Sequence, residues 1–276
     1  MAESAAQIQY RQEYISGFEL SESLTRQTVT TEAIVKGQQA VFLVVDSGGA
    51  EAVTRGLNGL IPGRPDNNTQ NTVTLTEWHD KPIKTGFNIF ISQGDQRKAM
   101  NETSYKVMNH KIDSQIITEL NTATQDTGGA QPGSLPMIQH ALTILGNNEV
   151  PFDGNISALI SPAFYSYMMQ IKQFTNVDYV NNKPFSGMLT MFRWNNVNWI
   201  VHPNLPGKGT NAEKCFMYHK AAIGHAMDKG GITYTADYNK EQDYSWALAT
   251  GYMGVKLLQS EGIVVMNHDG SAFAAL

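Results

Sequence analysis

The sequence predicts an α+β fold, and three stretches carry that expectation. YKVMNHKIDSQIITELNTA, residues 105–123, is a long amphipathic helix. Tyr105, Met108, Ile112, Ile116, Leu120 and Ala123 recur at steps of three and four and share one face, while Lys106, Asn109, Lys111, Asp113 and Gln115 lie elsewhere. Upstream, strand-like runs flank a glycine-rich excursion. Downstream, SWALATGYMGVKLLQSEGIVVMNHDG contains Gly251 and Gly254, which weaken a helix and favour two long strands. The order is arm, strand-loop-strand, long helix, a mixed α/β stretch and final strands.

Taken in order, residues 1 to about 30 are polar with scattered Tyr10, Tyr14, Ile15, Phe18, Leu20 and Leu24, too sparse for a core of their own. They read as an arm that lies on something else. TEAIVKGQQAVFLVV (31–45) is extended and ends in the β-rich run Ala40 to Val45. Asp46 to Asn71 holds five glycines, two prolines and many Asn and Asp, the composition of a long loop. A loop of that length inside a compact domain is uncommon, and contact with neighbours in an assembly is one explanation. Strands resume where Val73 and Leu75 alternate with threonines, and a further strand is expected where Phe87, Ile89 and Ile91 alternate with Asn88 and Phe90.

The long helix is expected to begin near Asp95 and to stop at Gly128-Gly129, giving roughly 40 Å or more at about 1.5 Å per residue. SLPMIQHALTILGNN is a second helix. Ser134 is its cap, Pro136 lies in its first turn, Ile138, Leu142 and Leu145 form its stripe, and Gly146 ends it. ISALISPAFYSYMMQI reads as a strand followed by a helix starting at Ser161-Pro162, and MLTMFRWNNVNWIV as a hairpin about Asn195-Asn196. There is no internal repeat and no low-complexity tract.

The totals narrow the class. In 276 residues, 41% hydrophobic and 16% charged content suffices for a real core. A net charge of −5 and a pI near 5.8 exclude a broad basic surface that would wrap nucleic acid. The single cysteine, Cys215, excludes an internal disulfide and a Cys-based zinc module and fits a reducing compartment. The N-terminal MAESAAQIQYRQEYISG lacks a basic n-region followed by an apolar h-region, and no run of about 18 apolar residues occurs. Neither a standard secretion signal nor a membrane span is expected.

Candidate chemistry is sparse. In LPGKGTNAEK, Gly207, Gly209 and Ala212 fit the G-x-G-x-x-[GA] spacing, with Asp228 about 20 residues on. The bland alternative is a glycine-rich surface loop, and Lys208 lacks the spacing and following Ser/Thr of a Walker loop. His79-Asp80 could reach one cation, but Pro82 marks a strand-end turn. His110 and Asp113 are three apart on the long helix and could share a metal; without further ligands they read as a solvated helix face. Cys215, Met217 and His219 would share one face of a strand, which means packing more often than a soft-metal site with His225. No catalytic, cofactor-binding or metal site emerges, so no enzymatic activity and no cofactor are expected.

The order of these elements resembles the major capsid protein of tailed double-stranded DNA bacteriophages, the Hong Kong 97 fold. The likeness covers nearly the whole chain. KIDSQIITEL stands where similar proteins carry a phrase such as A...ID..II..L in their long spine helix. ALISPAFYSYMM resembles their strand-to-helix step into the axial domain. MLTMFRWNNVNWIVHPNLPG resembles a strand pair ending in a Pro-Asn-Leu-Pro loop, and CFMYHKAAIGHAM the Ala-rich segment after it.

The resemblance implies an arm at 1–30, an extended loop with flanking strands at 31–91, and a peripheral domain with the spine helix at 92–150. A mainly axial domain follows at 151–242, and strands return to the peripheral domain at 243–276. It implies self-assembly into the pentamers and hexamers of an icosahedral shell around double-stranded DNA, built in the host cytoplasm, with portal and decoration proteins as further partners and no membrane. Arg55, Arg64 and Asp66 in the long loop are the candidate intersubunit contacts. Asp46 to Asn71 contains no lysine, so the self-formed Lys–Asn bond of some members is not expected. About 30 residues before the first strand are too few for an internal scaffold, so a separate scaffolding protein is implied. Two rivals are a cellular encapsulin-type shell and a soluble dinucleotide-dependent enzyme built on Gly207, Gly209 and Asp228.

Overall fold

A computed structural model describes residues 20, 22–34, 37–56, 58–91, 96–175 and 190–273. Tyr10, Tyr14, Ile15 and Phe18 of the expected arm, and Met188 and Leu189 of the expected hairpin, lie outside them. Among the described residues the first elements are a 3₁₀ turn, Arg26–Thr28, then β1 (Thr30–Ile34), β2 (Gln39–Val44), β3 (Thr69–Thr74), β4 (Thr76–Asp80) and β5 (Ile83–Thr85). Next come α1 (Gly86–Ile91), α2 (Gln96–Leu120), α3 (Leu135–Asn147), β6 (Ile156–Ile160), α4 (Pro162–Met168) and α5 (Lys172–Thr175). Among the described residues the later strands are β7 (Met191–Trp194), β8 (Val197–Val201), β9 (Glu213–His219), β10 (Ile223–Asp228), β11 (Thr233–Asn239), β12 (Tyr244–Leu257) and β13 (Ile263–His268).

These strands make two larger sheets and one hairpin. The six-stranded sheet runs β1-β10-β12-β11, with β4 and β5 also paired to β12; the five-stranded sheet runs β13-β9-β6-β8-β7. β12 alternates along its length: Ser245, Ala247, Ala249, Gly251 and Met253 are buried, whereas Trp246, Leu248 and Tyr252 are not. α2 lies over the buried face, where Met108 sits against Gly251. On the same face Lys111 places its Nζ 3.7 Å from the Trp78 ring centroid. One continuous core joins α2, α3 and both sheets. Sheet membership does not follow chain order: β10 and β11 pair with β12, while β13 returns to β9.

α2 has 25 residues, about 37 Å at 1.5 Å per residue, and Met108, Ile112, Ile116 and Leu120 are fully or almost fully buried. Three details differ from the periodicity. Asp95, the expected start, lies outside the described residues, and the helix ends at Leu120 rather than at Gly128. A tertiary partner takes over there: Thr127 N–H donates to Val265 O and Gln131 N–H to Asn267 O, so this stretch follows β13 instead of continuing the helix. Tyr105 is 43% exposed and rests against Tyr234, while Asn109 and Asp113, expected off the stripe, are buried.

The expected strand at Phe87 to Ile91 is the helix α1. Thr85 Oγ1 accepts from Asn88 N–H at 3.2 Å and caps it, and five consecutive residues with four apolar side chains carry no usable period. In α3, Ser134 stands at the N-cap without a side-chain cap bond, the helix runs one residue past Gly146, and Met137, Ile138, Ala141 and Leu145 are buried while Leu142 is half-buried. Ser161 does cap α4, accepting from Phe164 N–H at 3.0 Å. Asn195 and Asn196 turn the β7–β8 hairpin with φ of 53° and 60°, the left-handed pair of a type I′ turn.

Candidate functional site

β2 and β3 form an antiparallel hairpin from Gln39↔Thr74 to Val44↔Thr69. Its base is seated on the face of the six-stranded sheet opposite α2: Ala40, Phe42 and Val73 are buried with Ile34 and Ala226 in a small cluster of their own. Because strand side chains alternate, the other face of β2 is turned outward, with Val41 and Leu43 each 56% exposed.

Beyond the hairpin, residues 45–68 form no helix or strand among those described, and every described residue is exposed or nearly so. Gly56 N–H donates to Leu60 O, and Gly59, at φ 70°, donates to Gly56 O. That turn thrusts Leu60 and Ile61 into solvent at 73% and 67% exposure, with Val53 similarly placed. Arg55 and Arg64 are exposed and form no ion pair among the described residues, and Asp66 accepts from Asn68 Nδ2. The loop therefore carries all three residues singled out from the sequence but does not join them to one another.

A second feature was hidden in the sequence. Asp113, on α2, is 2% exposed, not solvated. Its Oδ1 accepts from Ser23 Oγ (2.5 Å), Thr25 Oγ1 (2.6 Å) and Thr25 N–H (3.2 Å). Its Oδ2 accepts from Leu24 N–H (3.2 Å) and faces His202 Nε2 (3.4 Å). His202 Nδ1 accepts Asn204 N–H, which leaves the ring proton on Nε2, toward the carboxylate. Burial pushes the Asp113 carboxyl up, but the hydrogen bonds from His202, Ser23 and Thr25 outweigh it and hold the group below its ordinary value. A cavity of about 400 Å³ opens beside it, lined in part by His110, His202 and Leu205.

The other flagged residues scatter. Gly207 and Gly209, at φ 70° and 72°, shape the loop from β8 into β9, so a strand follows where a dinucleotide site requires a helix. Asp228 ends β10. His79 lies at the end of β4, bonded to Glu77 and Thr250. Cys215 and Met217 are fully buried core residues, and burial pushes the Cys215 thiol up to about 12. His219 bonds Asp153 at 3.2 Å. His225 is fully buried with neither ring nitrogen hydrogen-bonded. Among the described residues no three His, Cys, Asp or Glu side chains converge as metal ligands.

The molecule thus combines a long helix laid over one face of a sheet with a hairpin on the opposite face whose outer side carries exposed apolar side chains. Residues 2–269 match the phage capsid protein family, and the chain belongs to that family. Solved structures share the fold over almost the full length. One from Mycobacterium phage Che8 aligns at a TM-score of 0.78 and 15% identity, covering 97% of this chain and 98% of that one. The cyanophage Pam1 capsid asymmetric unit aligns at 0.76 and 10%, covering 98% of each, and the capsid of a native GTA particle at 0.74 and 11%, covering 97% of each. No curated protein compared with the chain matches it. The fold is thus the α+β capsid fold of the Hong Kong 97 type.

Proposed function

We propose that this chain is the major capsid protein of a tailed phage, assembling with copies of itself into an icosahedral shell around double-stranded DNA. The observation that carries the reading is the projecting hairpin and its loop, whose exposed Val41, Leu43, Leu60 and Ile61 have nothing of their own molecule to cover them among the described residues. A neighbouring subunit is the natural cover. In this reading α2 and the six-stranded sheet form the peripheral domain and the five-stranded sheet the axial domain, which moves β10 and β11 out of the axial stretch expected at 151–242 and β13 out of the peripheral return expected at 243–276. Arg55, Arg64 and Asp66 meet charges of the neighbour. A separate scaffolding protein, a portal and decoration proteins act with the shell in the host cytoplasm, and the protein's role is structural. A net charge of −5 suits a container whose wall must not grip phosphates.

Replacing residues 46–68 by a two-residue turn tests the reading. β2 and β3 remain, so circular dichroism and the elution volume of the monomer should stay native-like. Negative-stain electron microscopy, with the neighbouring scaffolding gene co-expressed, should show closed shells for the full chain and none for the shortened one. Intact shells from the shortened chain would remove the loop from assembly.

A further inference from the structure

The five hydrogen-bond donors around Asp113 all come from outside its own helix: Ser23, Leu24 and Thr25 in the segment before β1, and His202 in the loop after β8. α2 lies on the six-stranded sheet, whereas β8 belongs to the five-stranded one. The carboxylate is therefore one point where the N-terminal segment, α2 and the loop after a strand of the other sheet meet. Besides the carboxylate, Leu24 packs against the main core, and the segment's other hydrogen bonds are internal except the one from Thr28 to Tyr218. Arg26 N–H donates to Ser23 Oγ, Thr28 N–H and Oγ1 donate to Thr25 O, and Thr28 Oγ1 bonds the buried Tyr218 hydroxyl. Leu24 is half-buried, and full apolar burial resumes at Val29.

From this geometry we propose that Asp113 is a latch. It fastens residues 22–28 as a strap across the junction of the two sheets, and the strap lifts as a unit when the carboxylate loses its donors, leaving both sheets folded. A buried charge tolerates no half-measures: if the strap leaves, Asp113 keeps only His202 and must be rehydrated. Rotation of the five-stranded sheet against α2 draws His202 away from Asp113 and weakens the same site. The latch thus makes the position of the strap depend on the angle between the sheets. The latch does not rest on the shell reading.

Limited trypsin digestion of the full chain tests it. The Arg26–Gln27 bond lies in the strap, and the Lys240–Glu241 bond, in the exposed turn between β11 and β12, is an internal reference. Asp113→Asn replaces an acceptor with an NH₂ group among N–H and O–H donors, and cleavage after Arg26 should accelerate about tenfold or more while cleavage after Lys240 does not change. Should Asp113→Asn fail to fold, the Ser23→Ala/Thr25→Val double variant removes two donors without touching α2 and should give the same selective acceleration. Unchanged cleavage after Arg26 in a folded double variant overturns the latch. So does acceleration that rises in step at both bonds, because the carboxylate would then support the whole fold and not the strap.

Discussion

Gly254→Ala asks what seats the projecting hairpin. Gly254 of β12 faces Ala226 in the strand register, and Gly224 faces Lys256 two pairs further on, on the same face of the sheet. Together they leave a strip without Cβ atoms on which the hairpin rests. A Cβ at 254 would stand 2.4 Å from Thr74 O and 3.0 Å from Val73 Cγ1. The first of these is a backbone oxygen of β3 and cannot swing aside, so the hairpin base itself must rise. A Cβ at 224 would meet the Phe42 ring at 3.0 Å and Leu258 Cδ1 at 3.1 Å, side-chain atoms that can yield. Overpacking of the first kind costs about 2–3 kcal/mol, and the second about 1 kcal/mol. Phe42 and Val73, each worth about 1.5–3 kcal/mol when buried, would lose part of that stabilisation as the hairpin lifts. The cost should therefore fall on the hairpin before the main core. Hydrogen exchange should show amides of 39–44 and 69–74 losing protection in Gly254→Ala while those of β6, β8 and β9 keep theirs, with a smaller loss in Gly224→Ala. Equal protection in the variant and the parent, or a larger effect at 224, would refute the crossing as the cause.

Two further outcomes follow from buried titratable groups. Burial first and the nearby Arg26 second hold the His225 imidazole down at about 4, from an ordinary 6.5. Between those values the unfolded chain binds the proton that the folded chain refuses, so stability is full above about pH 6.5 and falls as the pH drops toward 4. His225→Leu should flatten that part of a urea-midpoint-against-pH curve. Buried His268, also held low, supplies the slope that remains. An unchanged curve would mean that His225 titrates normally in the folded protein. Cys215, fully buried with its thiol pushed up to about 12, should not react with a thiol-specific disulfide reagent at pH 8 and should react fully in denaturant; rapid native labelling would contradict its place in the core.

How much of the fold was legible depended on how local its cause was. Asn195-Asn196, Ser161-Pro162 and the α2 stripe act through neighbours within about four residues, and the sequence displays those neighbours. Where the cause was distant, the reading failed. Residues 125–131 follow β13, about 140 positions away, so α2 ends before its glycine stop. β11 (Thr233–Asn239) alternates Tyr234, Ala236 and Tyr238 with polar residues, a local sign that was passed over; it is exposed at nearly every position and pairs along its length with β12. Gly254 reads in sequence as a helix-weakening residue; its use is a close crossing with Thr74, which only the fold brings near.

The same distinction separates the two sites. The loop expected from Asp46 to Asn71 was visible because composition marks it, although β3 already begins at Thr69; the neighbour proposed for Arg55, Arg64 and Asp66 would leave no trace in one chain. Asp113 was misread as solvated because its donors lie 88–90 positions away. A local sign did exist. Asp113 stands among Ile112, Ile116 and Ile117, with Asn109 rather than a basic residue four positions before it, and a solvated aspartate has no use for such neighbours. A carboxylate surrounded by isoleucines on a helix must find donors from elsewhere in the chain, because a buried charge left unpaired would cost more than the helix could supply. Upstream, the short hydroxyl run Ser23-Leu24-Thr25, in an arm otherwise without a core, was the matching half. Neither half specifies the other alone, but a stranded charge in one element and spare donors in an unanchored segment together point to a contact that hydrophobic periodicity does not register.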